Sequence, residues 1–70
     1  MEVRTAKHFG QAVRTARKAA GLTQAQVALA AGTSRRVIYQ LEDGRPTLRL
    51  ETALRVATQL GIILSAKVPR

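Results

Sequence analysis

Apolar residues recur at steps of three and four along most of the chain, and the pattern is broken at glycines. From Ala6 to about Ala20, Phe9, Val13, Ala16 and Ala20 keep the helical period, while Lys7, Gln11, Arg14 and Lys18 point in other directions. Thr5 can cap the start of this helix after a short lead, Met1 to Arg4, and Gly21 can end it. Thr23 with Gln26 three residues on forms the T-x-x-Q capping box of a second, short helix, which turns Val27, Ala28 and Ala31 inward. Alanines on that face let another helix cross at close range. Gly32 is the expected turn residue, at positive φ, and Ser34 caps the third helix. At about 100° per residue, Ser34, Val37, Ile38 and Leu41 gather on one side of it and Arg35, Arg36, Tyr39 and Gln40 on the other. Asp43-Gly44 stops this helix and Arg45-Pro46 stiffens the loop that follows. A fourth helix begins at Thr47 or Arg49, with Leu50, Ala53, Leu54, Ala57 and Leu60 as its expected buried stripe, and Gly61 closes it. The period then changes. Ile62 to Val68 is β-branched and apolar and reads as a strand that Pro69 ends.

A strand needs a partner, and no other segment of the chain has strand character. Pairing of Ile62, Ile63, Leu64, Ser65 and Ala66 with the same residues of a second copy, antiparallel across a two-fold axis, would satisfy both backbones. The expected organisation is therefore one domain over residues 1–70, with helices across 5–61, a dimerisation strand across 62–68, and a homodimer as the working unit.

Charge narrows the partners. Twelve Lys and Arg against four Asp and Glu give +8, a field that favours a polyanion. Most of the cations are arginine, whose planar fork suits phosphates and base edges. With one Phe and one Tyr there is no stacking platform for single strands, which leaves duplex DNA as the leading polyanion. The lack of cysteine excludes disulfides and thiol chemistry. His8 stands alone as a histidine and reads as a solvated surface residue, so no metal and no cofactor are expected. Glu2, Glu42, Asp43 and Glu51 are scattered, which leaves no base beside a nucleophile and argues against an enzyme. No run approaches the roughly 18 apolar residues of a membrane span, and no signal-peptide core opens the chain, so a cytoplasmic location is expected.

On this reading the third helix enters the major groove, and Arg35, Arg36, Tyr39 and Gln40 read base edges. Arginine pairs with guanine O6 and N7, and glutamine with adenine N6 and N7. Thr23, Gln24 and Ser34 stand at helix starts, where backbone N–H groups and the helix dipole hold phosphates; Arg45 and Arg49 clamp the DNA backbone beyond the reading helix. Two such helices, about 34 Å apart in a dimer, would read a palindromic operator.

Leu22-Thr23-Gln24-Ala25-Gln26-Val27-Ala28, Ala31-Gly32-Thr33-Ser34, Ile38 and Leu41-Glu42-Asp43-Gly44 together resemble the lambda-repressor-like, or Xre, helix-turn-helix family, across residues 9–61. The resemblance implies an all-α, four-helix DNA-binding domain, here with one C-terminal β-strand paired across a homodimer. It also implies that Gln24, Arg35, Arg36 and Gln40 bind DNA, and that Arg17 pairs with Glu42 to brace the first helix against the third. Two positions depart from the common pattern: Gln26 replaces the usual glutamate of the capping box, and Leu29 stands where relatives carry a polar residue. The ending Gly61-Ile62-Ile63-Leu64-Ser65-Ala66 resembles, more narrowly, the HipB-like antitoxins. That likeness implies a bacterial, nucleoid-associated repressor of its own operon that restrains a HipA-like serine/threonine kinase toxin. The alternatives are a stand-alone Xre-type regulator and an antitoxin of another toxin type, such as a HigB-like ribonuclease.

Overall fold

Four helices form in the computed structural model, which describes residues 2–69: α1 (Ala6–Ala19), α2 (Gln24–Ala31), α3 (Arg35–Glu42) and α4 (Leu50–Gln59). Met1 of the expected lead and Arg70 lie outside the described residues. Side chains cap the first three helices. Thr5 Oγ1 accepts from His8 N at 3.1 Å, Thr23 and Gln26 exchange both bonds of the capping box, and Ser34 Oγ accepts from Val37 N at 3.2 Å. α4 begins at Arg49 with no side-chain cap. Glycines at positive φ follow all four helices, and the chain turns back on each: after α3, Gly44 N donates to Leu41 O and Arg45 N to Gln40 O.

The centre of the fold takes one β-branched side chain from each helix. Val13, Val27, Ile38 and Val56 are fully buried, with Phe9, Ala28, Ala31, Leu41 and Ala57 around them. α2 packs on both α3 and α4, and α1 packs on α3. The α1–α3 crossing depends on Gly10, a residue that costs a helix interior about 0.5–1 kcal/mol relative to alanine. A Cβ there would run into the Leu41 carbonyl oxygen and lie 3.2 Å from that of Glu42. The last turn of α3 therefore rests directly on the backbone of α1.

The structure corrects two expectations. The buried stripe of α4 is rotated from the expected one: Val56 is inside, whereas Leu50 and Leu54 are 73% and 46% exposed. α4 packs on α2 and gives Ala53, Val56, Ala57 and Leu60 to the core cluster, so its apolar arc is wider than the part that is covered. The second correction removes the C-terminal strand. No strand forms among the described residues, and the fold is an all-α four-helix bundle. Ile62 packs against the core and its N–H closes α4 on Ala57 O at 2.9 Å. Beyond it no backbone–backbone hydrogen bond forms among the described residues, and Ile63 and Val68 are 90% and 82% exposed. A ladder needs a second extended segment alongside, and the rest of the chain is committed to helices. Glu2, Val3 and Arg4 lie beside Ile63, Leu64 and Ser65 without pairing to them. The strand pairing expected of Ile62, Ile63, Leu64, Ser65 and Ala66 falls with the strand.

Gly10→Ala should destabilise the protein by about 1–3 kcal/mol in urea unfolding, the cost of overpacking, although alanine is the better helix former. A neutral or stabilising result would show that α1 does not lie on the end of α3 as described.

Candidate nucleic-acid interface

Glu42 ends α3 and ties three parts of the chain together. Arg17 Nε donates to its Oε2 at 2.7 Å and Arg17 Nη2 to its Oε1 at 3.0 Å, a two-pronged pair from α1. Gln24 Nε2, at the start of α2, donates to Oε1 at 3.3 Å, and Arg17 Nη1 reaches the Leu22 carbonyl at 2.9 Å in the loop between them. The pair is largely removed from water, with side chains 12% and 5% exposed. Hydrogen bonding to Glu42 raises the Arg17 guanidinium pKa, burial opposes this, and the charge of Glu42 adds to the rise. Because the shift is upward, raising the pH does not weaken this contribution until it passes the ordinary arginine range, and Arg17 stays charged below that range.

Held in this way, α3 exposes Arg35, Arg36 and Tyr39, with Gln40 half-buried at the edge of the arc. Arg36 falls near the middle of the exposed arc at helical spacing. The two sides of α3 open into different clefts. On one side, about 310 Å³ is bounded by Arg35 and Tyr39 together with Arg14, Arg17 and Gln24, and by the acids Glu42 and Asp43. On the other, about 410 Å³ is bounded by Gln40, Thr33, Arg45, Thr47 and Arg49. A helix lying in a major groove has a phosphate row on each flank, and each cleft has more arginines than acids along it.

Two helix starts face these clefts. At α2, Thr23 and Gln26 satisfy one another, while the Gln24 and Ala25 N–H groups have no acceptor among the described residues. At α4, Leu50, Glu51 and Thr52 offer N–H groups likewise without an acceptor among them. Such ends hold anions through their donors and the helix dipole. Thr23 and Ser34 use their hydroxyl oxygens as caps and keep an O–H to donate. Gln24 differs from the sequence reading in that its side chain is half-buried and bound to Glu42, which leaves mainly its backbone N–H for a phosphate. Arg45 leans on Asp43 at 3.4 Å with both side chains more than half exposed, a contact that solvent and salt weaken.

The clefts also include Arg14, Thr33 and Thr47, which sequence reasoning misses as site residues. Arg14 carries a signal, since it sits one turn before Arg17 and so follows it toward the end of α3. The two threonines lie in connections between helices, whose path no periodicity gives. Arg55 also borders the larger cleft, but Glu51 Oε1 holds it at 2.7 Å.

The helix-turn-helix family matches residues 13–64 of this chain, a span from the middle of α1 to just past α4. Over 67 residues the chain is 34% identical to the uncharacterized HTH-type transcriptional regulator y4mF of Sinorhizobium fredii, covering 96% of this chain and 88% of that protein.

Removing one partner of the Arg17–Glu42 pair, by Arg17→Ala or Glu42→Ala, should cost about 3–5 kcal/mol in urea unfolding, because a mostly buried charge is left alone. The double change Arg17→Ala with Glu42→Ala should cost clearly less than the sum of the two single losses. Additive losses would mean the two side chains act independently.

Proposed function

Since the chain belongs to the helix-turn-helix family, we propose that it is a sequence-specific double-stranded DNA-binding transcriptional regulator that reads the major groove with α3. The observation that carries this is the two-sided arrangement around that helix. Arg35, Arg36, Tyr39 and Gln40 stand at its outer face, and basic groups and open helix starts lie on both flanks. Arg36 and Gln40 supply base contacts, each worth about 1–3 kcal/mol of discrimination where the geometry is bidentate. Arg45, Arg49 and the start of α4 take phosphates on one strand, and the start of α2 with Arg14 takes phosphates on the other. No helix among the described residues is long and apolar enough to cross a membrane.

The finer reading, an antitoxin that restrains a HipA-like kinase, draws its sequence support from chain size, overall similarity and a C-terminal strand. With residues 62–69 non-repetitive, the observations favour the stand-alone Xre-type regulator. The relative's name, an HTH-type transcriptional regulator, supports the same choice.

The division of labour is testable by fluorescence anisotropy on a duplex selected from a random pool and on a scrambled duplex. Arg36→Ala and Gln40→Ala should lose affinity mainly for the selected duplex and relax preference at particular base pairs. Arg45→Ala and Arg49→Ala should weaken both duplexes alike and lower the salt slope by about 0.9 for each phosphate no longer neutralised. Equal losses on both duplexes for all four variants would refute base reading by α3.

A further inference from the structure

We infer that the exposed face of α1 is a second track for the DNA backbone, one that carries the contact past the base pairs read by α3. The inference rests on the DNA reading and adds to it a flank that is independent of sequence. At about 100° per residue, Lys7, Gln11, Arg14 and Lys18 fall within about 60° of one another, on the side of α1 away from Phe9 and Val13. All four are exposed, and the row runs for about 16 Å along the helix. α1 contains no acid, and Lys7, Arg14 and Lys18 form no ion pair among the described residues. Helix stability does not account for the row. Lys7 stands in the first turn, where the helix dipole opposes a cation, and Arg14 and Lys18 are like charges four residues apart.

Position selects the occupant. Arg14, in the middle of the row, borders the cleft of Arg35 and Tyr39. At the first end, the backbone of Lys7 lies against Gly44, where an added Cβ would come 3.2 Å from the Lys7 Cα. Gly44 adjoins Arg45, which borders the other cleft. The row therefore starts beside one flank of α3 and passes along the other, where a phosphate backbone held by α3 continues. A DNA strand carries a phosphate about every 3.4 Å of axis, so the row is long enough to meet several in succession. A membrane surface would need apolar side chains beside the cations, and the apolar side of α1 is closed in the core. Single-stranded nucleic acid would need aromatic rings in the row, and it has none. Lysines on flexible stems suit phosphates, which position a duplex without reading it.

Fluorescence anisotropy over a salt series tests it on two lengths of a duplex selected from a random pool. One is trimmed to the shortest form that keeps the sequence preference, and the other is extended on each side by unrelated sequence of one helical turn, about 10 base pairs. The unaltered chain should show a steeper salt slope on the extended duplex, by about 0.9 for each of the two lysines engaged. Lys7→Gln with Lys18→Gln, which keeps the stems and the helical circular dichroism, should remove that difference and lose affinity severalfold on the extended duplex. Its sequence preference on the trimmed duplex should be unchanged. Lys67→Gln takes one charge from the exposed segment after α4 and should behave as the unaltered chain does. Equal slopes on both lengths for the unaltered chain, a double variant that keeps the difference, or its loss in Lys67→Gln as well would overturn the inference. A chain without sequence preference on the trimmed duplex would overturn the reading by α3, and this inference with it.

Discussion

The carboxylate of Glu42 sets where the third helix lies. It receives two bonds from Arg17 and one from Gln24, and Arg17 spends its remaining reach on the Leu22 carbonyl. One side chain at the end of α3 thus fixes α1, the loop after it and the start of α2. Burying these charges is costly, and what offsets the cost is that the pair is two-pronged and further hydrogen-bonded. Gly10 makes the arrangement possible, because only a residue without Cβ lets the Leu41 and Glu42 carbonyls come so near α1. The gain is orientation more than net stability: the outer face of α3 is aimed by a contact on its inner, terminal side.

From that constraint the electrostatics follow. With Arg17 paired to Glu42 and Arg55 to Glu51, Arg14 and Arg35 border one cleft and Arg45, in a looser contact with Asp43, and Arg49 border the other, while Arg36 lies on the exposed arc of α3 and lines neither. Open helix starts at α2 and α4 add partial positive charge on the same two sides. α4 plays a double part, since its inner face closes the core and its beginning adjoins the larger cleft. Its outer leucines have no partner within the described residues.

Features set by local chemistry are legible in the sequence. The capping box of Thr23 and Gln26, the Ser34 cap, the positive φ of Gly32 and the sorting of α3 into inner and outer arcs all follow from near neighbours along the chain. Features set by distant packing are harder to read. Periodicity misphases the stripe of α4 because leucines at 50 and 54 look as apolar as Val56, and only the position of α2 decides which of them is covered. Gly10 gives no sign, since a glycine within a helix reads as a weakness until the helix crossing it is known. The strand expected at 62–68 rests on β-branched composition, but a strand is a property of two segments, and composition describes one. Among the site residues, Gln24 shows the same limit: its side chain can be placed at a helix start from the sequence, whereas its turn toward Glu42 depends on α3.

Whether α3, held by Glu42, is the surface that meets duplex DNA is tested most directly by NMR chemical-shift mapping of the ¹⁵N-labelled chain as a duplex selected from a random pool is added. Shifts are expected to concentrate in Arg35 to Gln40, in Thr23 to Ala25 and in Arg45 to Thr52, with the inner residues Val13 and Val56 little changed. Shifts centred on the exposed segment after Ile62 or on the far side of α1, with α3 unperturbed, would contradict that role for α3.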